Sequence, residues 1–328
     1  MRVLIIRLSA LGDIVHALPL AENARRAGAT VGWACEDRFR VLLEDNPNID
    51  ELFVADTRRW RRNPVATGVR RQLRDLTDAL AAFAPDWTID AQGLWKSAFL
   101  ARAARAPVAA FSFRERREPG SALLADHLVR PPEGVRHIVD KNLALLAPTG
   151  IPVRRRSPDA RYLLARQDPE AAAFVAGQPV PYAVFHPGAG RPEKVWGADR
   201  LAAVARKLQD ERGLSPVISW GPGDEPLAER MTKKLPEARR VPPLSLRGLA
   251  RVVAGASLFV GGDTGPLHLA DALGAPTLGL FGPHDRGRNE PSRNGPYRGT
   301  AVRYTASTSP DEVVRRALEV LERPRDPA

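Results

Sequence analysis

Five loops hold the residue types that could do chemistry, each directly after an apolar run. In "SALGDIVHALP" (9–19) a single acid, Asp13, sits among small residues. An acid there either caps the following helix or takes a proton from a substrate hydroxyl. "DAQGLWKS" (90–97) sets Asp90, Gln92 and Lys96 around a glycine. Asp90 is either a cap or part of a site, and Lys96 is either a surface lysine or an anion ligand. "FHPGAGRPEKVWGADR" (185–200) pairs Gly188 and Gly190 with Lys194, a point charge suited to phosphate although no Walker A pattern is present. "WGPGDE" (220–225) ends in an acid, Glu225, able to accept hydrogen bonds from ribose hydroxyls, or is a plain turn. "GGDTGPLHLADALG" (261–274) is the sharpest of the five. Asp263 and Thr264 suit an N-cap, Gly265 allows close backbone approach, Pro266 fits the first helical turn, and His268 follows within that turn. Free N–H groups at such a helix start suit a phosphate. The plain alternative is a well-capped helix with His268 packed on its side. Three such loops in the second half are most economically explained by one nucleotide. Basic clusters "RRWRR" (58–62) and "FRERREPGS" (113–121) lie in the other half and are either solvated faces or receivers of an anionic second substrate.

These loops need a scaffold, and the apolar pattern supplies one. "RVLIIRL" is too continuous for a half-exposed strand and predicts a buried parallel one. "ATVGWAC", "IDELFVAD" and "DWTIDAQG" read as further strands, alternating with helical segments such as 69–84. After a Pro- and Arg-rich stretch around 150–180 the alternation resumes: "YAVFHPG", "SPVISWGPG", "SLFVGGD" and "PTLGLFGP" as strands, 198–211 and 246–256 among the helices. The expected class is α/β, with two doubly wound domains and ligands at the carboxyl ends of strands. The expected division is 1–165, 166–308, and a C-terminal helix and tail over 309–328, where Ser309 and Glu312 have capping-box spacing.

The 328 residues carry 49 Lys+Arg against 38 Asp+Glu, a formal charge of +11, which favours anionic partners or reflects an Arg-rich surface. One cysteine excludes an internal disulfide and a cysteine zinc site, so a reducing cytoplasm is expected. "VLII", interrupted by Arg7, is too short for a signal peptide, and no stretch approaches the roughly 20 apolar residues of a membrane span. The six histidines lack metal-site spacing, so no metal is expected. Only Gly12 of a G-x-G-x-x-G follows the first strand, which disfavours a dinucleotide oxidoreductase. With 6% aromatics and no binding-domain pattern, no nucleic-acid partner is expected.

"LIIRLSALGDIVHALP", "DAQGLWKSA", "REPGSALLA", "HPGAG…K-W" and "GGDTGPLHLADALGAPTLGLFGP", in this order, resemble the ADP-heptose:lipopolysaccharide heptosyltransferases of glycosyltransferase family 9. The resemblance spans roughly residues 1 to 305. "DAQGLWKS" with "REP" is more similar to the branch that adds the first heptose to Kdo, heptosyltransferase I, than to the second. The resemblance implies a GT-B architecture of two Rossmann-like domains facing across a cleft, acceptor in the first and sugar nucleotide in the second. In such folds the C-terminal helix often crosses back to the first domain. It also implies inverting, metal-independent transfer without a cofactor, from ADP-L-glycero-D-manno-heptose to Kdo of a lipopolysaccharide precursor. Asp13 matches the catalytic acid and is the expected general base. Lys194, Glu225, Asp263, Thr264, Gly265 and His268 are the expected donor ligands. Arg58, Arg61, Gln92, Lys96 and Arg117 are candidates for the anionic acceptor. A cytoplasmic protein at the inner face of the inner membrane is expected. Another family member with a later acceptor or a different sugar, or a non-catalytic nucleotide- or nucleic-acid-binding protein, are the alternatives. The segment 281–299 is longer than the usual family loop, with His284 where a hydroxyl residue is common.

Overall fold

Val3, Leu4, Ile5 and Ile6 are completely buried, as a continuous apolar run at the centre of a sheet must be. They belong to β1 (Arg2–Ile6), which pairs in parallel with β2 (Thr30–Glu36) on one side and β4 (Trp87–Asp90) on the other. The computed structural model describes residues 1–57, 60, 67–282 and 290–323. With β3 (Glu51–Ala55), β5 (Val108–Phe111) and β6 (His127–Val129), the first sheet runs in the order β3-β2-β1-β4-β5-β6, and every pairing is parallel. Helices cover it: the faces of Leu18–Arg26, Thr67–Ala82 and Trp95–Ala103 place Leu20, Leu80 and Leu100 in the interior. Burying each such side chain contributes about 1.5–3 kcal/mol against leaving it in water.

The second sheet repeats the plan. β7 (Tyr182–His186), β8 (Ser215–Ile218), β9 (Arg239–Arg240), β10 (Leu258–Gly262), β11 (Thr277–Phe281) and β12 (Thr300–Arg303) lie in the order β12-β11-β10-β7-β8-β9, all parallel. Numbered from its own first strand, this is the first sheet's order again. Each unit is thus a doubly wound Rossmann-like sheet, the two-unit α/β class expected for GT-B proteins. Each has one place where the winding reverses, between β1 and β4 and between β7 and β10.

The chain divides into Met1–Pro158 and Asp159–Ala328. This is seven residues before the boundary placed from composition. The reason is local: Ala160 N donates to Ala272 O at 2.9 Å, and Arg251 Nη2 donates to Leu164 O at 3.0 Å, which ties 160–164 into the second unit. The C-terminal helix, Pro310–Leu321, packs into the core of the second unit. Its buried Val313, Val314, Ala317 and Val320 join the core cluster that holds Leu201, Ala205 and Leu208 of the helix Ala198–Arg212. At its start the Ser309 hydroxyl accepts from Glu312 N at 3.3 Å, the N-cap half of the capping-box pattern. Arg212 and Glu322 add an ion pair at 3.0 Å between the same two helices.

Candidate active site

Both switch points are occupied by the glycine-containing loops. After β1 the chain turns into a short helix, Leu11–Val15, with Asp13 at its third position. Asp13 Oδ2 accepts from Ala10 N at 3.1 Å, so the carboxylate satisfies a helix-start N–H. Its Oδ1 meets Arg7 Nη2 at 2.9 Å. Arg7 is nearly buried, whereas the Asp13 side chain is 41% exposed. One oxygen therefore faces an anchored guanidinium while the group stays open to solvent, and both capping and contact with a ligand are available to it.

The loop after β4 braces this arrangement. Arg7 Nη1 donates to Ala91 O, and Gln92 Oε1 accepts from Leu8 N at 2.8 Å and Ser9 N at 3.1 Å. Gln92, expected as an acceptor ligand, thus has its carbonyl engaged in holding the Asp13 loop. Asp90 Oδ1 accepts from Gln92 N at 3.1 Å and Gly93 N at 3.3 Å. Its other oxygen faces Arg116 Nη2 at 3.1 Å, with both side chains fully buried. Arg116 also donates from Nε to Phe111 O at 2.7 Å and from Nη1 to Ser121 Oγ at 2.6 Å. Burial pulls the Arg116 guanidinium below its ordinary value, opposed by the Asp90 charge. Its chain neighbour Arg117, the expected acceptor ligand, is exposed.

Lys96 lies beside this loop and is not a solitary cation. Its Nζ meets Glu36 Oε1 at 2.7 Å, and Thr57 Oγ1 donates to the same oxygen at 2.5 Å. Burial raises the Glu36 carboxyl, but hydrogen bonds from Lys96 and Thr57 and the nearby cations outweigh it and hold the group below the usual range. Glu36, Arg38, Lys96, Trp95 and Ser9 line an open cleft of about 820 Å³ in the first unit. Arg58 and Arg61 lie outside the described residues.

In the second unit the equivalent loops are bridged by charge. Lys194 Nζ, in the loop after β7, meets Asp263 Oδ2 at 2.8 Å, in the loop after β10. His268 Nε2 lies 3.3 Å from Asp263 Oδ1. Burial raises the Asp263 carboxyl, yet the His268 and Lys194 contacts prevail and hold it below the usual carboxylate range. This corrects one expectation: Asp263 does not cap the helix Gly265–Ala272, because both its oxygens are turned to Lys194 and His268. Thr264 occupies the cap position, but its hydroxyl donates to Gly262 O at 3.2 Å and accepts from no helical N–H. Gly265 opens the helix, followed by Pro266. Asp271, at the other end of that helix, is buried and accepts from the backbone N–H groups of Tyr297, Arg298 and Gly299 at 2.7 to 3.0 Å. It anchors the end of the long 281–299 segment, of which 283–289, with His284, lie outside the described residues.

Glu225 begins the helix Glu225–Lys234 with a half-exposed side chain, 4.0 Å from Arg240 Nη2. The acid before it, Asp224, was not singled out in the sequence and is the more constrained. His186 Nε2 lies 3.6 Å from Asp224 Oδ2, and His186 Nδ1 contacts Ser219 Oγ at 3.1 Å. Burial pushes His186 down to about 4 and Asp224 above the usual carboxylate range, so both lean towards their neutral forms. A Cβ on Gly188 would lie 2.1 Å from Asp224 Cγ, so only glycine lets this loop pack against the acid. Among the described residues no group of three or more His, Cys, Asp or Glu could hold a metal ion, and no helix is long and apolar enough to cross a membrane.

The model of glycosyltransferase family 9 (heptosyltransferase) matches residues 73–315. Lipopolysaccharide heptosyltransferase 1 of Pseudomonas aeruginosa is 36% identical over 298 residues, covering 88% of this chain and 80% of that protein. Escherichia coli heptosyltransferase WaaC solved with ADP superposes with a TM-score of 0.81 at 27% identity, covering 98% of this chain and all of the other. The same enzyme with ADP-2-deoxy-2-fluoro heptose gives 0.78 at 26% identity, over 97% of this chain and 99% of that one.

Proposed function

We propose that this chain, which belongs to glycosyltransferase family 9, the heptosyltransferases, transfers heptose from ADP-L-glycero-D-manno-heptose to Kdo of a lipopolysaccharide inner-core precursor. The observation that carries the reading is the paired construction of the two switch points. One presents the solvent-accessible carboxylate of Asp13, gripped by Arg7; the other presents Lys194, held by Asp263, and the helix start at Gly265.

In this reading the acceptor hydroxyl gives its proton to the Asp13 carboxylate as its oxygen attacks the anomeric carbon. The bond from that carbon to the β-phosphate oxygen breaks, and the electron pair leaves with ADP, inverting the centre. A positioned base of this kind is worth about 10²–10⁴ in rate. Lys194 and the N–H groups at Thr264 and Gly265 take up charge developing on the leaving phosphate, so no divalent ion is required. Asp263 holds Lys194 and His268 in place around the donor, and Glu225 accepts from the ribose hydroxyls. Arg58, Arg61, Lys96 and Arg117 meet the anionic groups of the acceptor. The acceptor is lipid-anchored, so the enzyme works at the cytoplasmic face of the inner membrane, where a net charge of +11 favours anionic lipid.

The test is to incubate the purified protein with a panel of sugar nucleotides and Kdo–lipid A and to weigh the products. A heptose increment from ADP-heptose is expected, and Asp13→Asn should lose it while retaining ADP binding. Transfer only from another donor, transfer only to an already heptosylated acceptor, or near-normal turnover by Asp13→Asn would each overturn the corresponding part of the assignment.

A further inference from the structure

The described residues expose three large aromatic side chains, Trp95, Phe99 and Phe113, at 41%, 60% and 42%, and all three lie on adjoining elements of the first unit. Trp95 and Phe99 stand one helical turn apart on Trp95–Ala103, with stacked rings 5.9 Å apart. The Trp95 ring lies against Gly120, where a Cβ would come within 2.8 Å of it. Gly120 belongs to the 3₁₀ helix Pro119–Leu124, in which residues three apart eclipse each other, so Leu123 continues the same face. Leu123 is 73% exposed. Phe113 lies on the neighbouring turn Phe113–Glu115, which packs on that 3₁₀ helix. An aqueous surface gains nothing from holding four such side chains together in water.

The exposed cations beside them are Arg114 and Arg117. Arg102, one turn beyond Phe99, is also exposed but is paired with the exposed Asp126 at 2.9 Å. The carboxylates of these elements are engaged: Glu115 with Lys141 at 2.8 Å, and Glu118 with Trp95 N at 2.6 Å. Trp95 and Glu118 are also wall residues of the 820 Å³ cleft, so the apolar face is continuous with the cleft's rim. We infer that this face, Trp95–Phe99–Leu123 flanked by Phe113, Arg114 and Arg117, is the surface by which the enzyme seats itself in an anionic lipid bilayer. Aromatic rings and a leucine enter the headgroup boundary while the guanidinium groups meet lipid phosphates. A second copy of the chain is the poorer occupant, because it would bring the same two arginines against these. The inference rests on the proposed reading in one respect: a lipid-anchored acceptor would then enter the cleft directly from the membrane.

The experiment measures co-sedimentation with phosphatidylglycerol-containing vesicles and with pure phosphatidylcholine vesicles, for the wild-type chain and Phe99→Asp/Leu123→Asp. Both side chains are solvent-exposed and outside the cleft lining, so the double variant should keep the wild-type thermal transition. The wild type should prefer the anionic vesicles, and the variant should bind them at least about tenfold more weakly. Arg114→Gln should weaken binding about fivefold, an effect that high salt removes. Equal vesicle binding by wild type and double variant, or none by either, overturns the inference. So does a wild-type dimer in sedimentation velocity that the double variant dissociates. Binding is read without turnover, so failure of heptose transfer would defeat the functional reading while leaving this surface to be judged on its own result.

Discussion

Replacing Arg116 separates the buried arginine of "RERR" from its exposed neighbours. Arg116 and Asp90 form an ion pair with both side chains fully buried, and the guanidinium also satisfies Phe111 O and Ser121 Oγ. Arg116→Met keeps the stem's volume but leaves the Asp90 carboxylate with only the Gln92 and Gly93 N–H groups and strips Phe111 O of a donor. Breaking a buried pair from one side costs about 3–5 kcal/mol, and the lost carbonyl partner places this site towards the upper end. For a unit of this size each kcal/mol lowers the midpoint by about 2–4 °C, so the first unit's transition should fall by roughly 6–20 °C. The damage should reach the reaction, because Asp90 holds the loop whose Gln92 holds Leu8 and Ser9, and these set Asp13. Asp90→Asn/Arg116→Met removes the stranded charge and should recover much of the loss. Thermal and urea unfolding of the three proteins, with Arg117→Ala as the exposed control expected within about 0.5 kcal/mol of wild type, give the comparison. A loss below about 1 kcal/mol in Arg116→Met, or a double variant no better than the single one, would refute the argument.

Other consequences are equally direct. Burial lowers His186 from 6.5 to about 4, so its neutral state stabilises the fold fully above pH 6.5, and that contribution is lost as pH falls towards 4. Between about pH 7.5 and pH 5 the linkage amounts to about 2 kcal/mol, and urea titrations should show it missing from His186→Asn. Gly188→Ala must displace Asp224 or its own loop and should weaken ADP binding by calorimetry at least about tenfold, an effect that Asp224→Ala relieves in the double variant. Cys35 is fully buried and its thiol is pushed up to about 12, by burial first and then by Asp37. It should therefore react with a disulfide reagent only at the rate at which the first unit opens, and the same rate at two reagent concentrations would confirm this.

Which features were legible in the sequence follows from the range over which each is decided. The loops of Asp13, Lys194 and Asp263 announced themselves through local composition: an apolar run, glycine, then a charged residue at a helix start. The long central strands were legible for the same reason, since β1 and β10 are continuous apolar runs. β6 and β9, three and two residues long, are too short for a period to show, and β5 and β12, four residues like β4 and β8, lack the glycine loop that marks the ends of those two strands. The partners were illegible because pairing is a property of strand order. Glu36 ends β2 and Lys96 follows β4, sixty residues later, and they meet because both strands flank β1. Lys194 and Asp263 meet across β7 and β10 in the same way. Arg116 and Arg117 are chemically indistinguishable in the string, and the backbone around Phe113–Leu124 decides which one points inward. Asp224 and Glu225 are alike in the string on the same ground, since only the loop geometry reveals that Gly188 closes over the first acid and leaves the second in solvent. In both units the switch point unites two loops that are far apart in sequence, so each loop's chemistry is encoded locally, while the neighbour that orients it is encoded in the winding of the sheet.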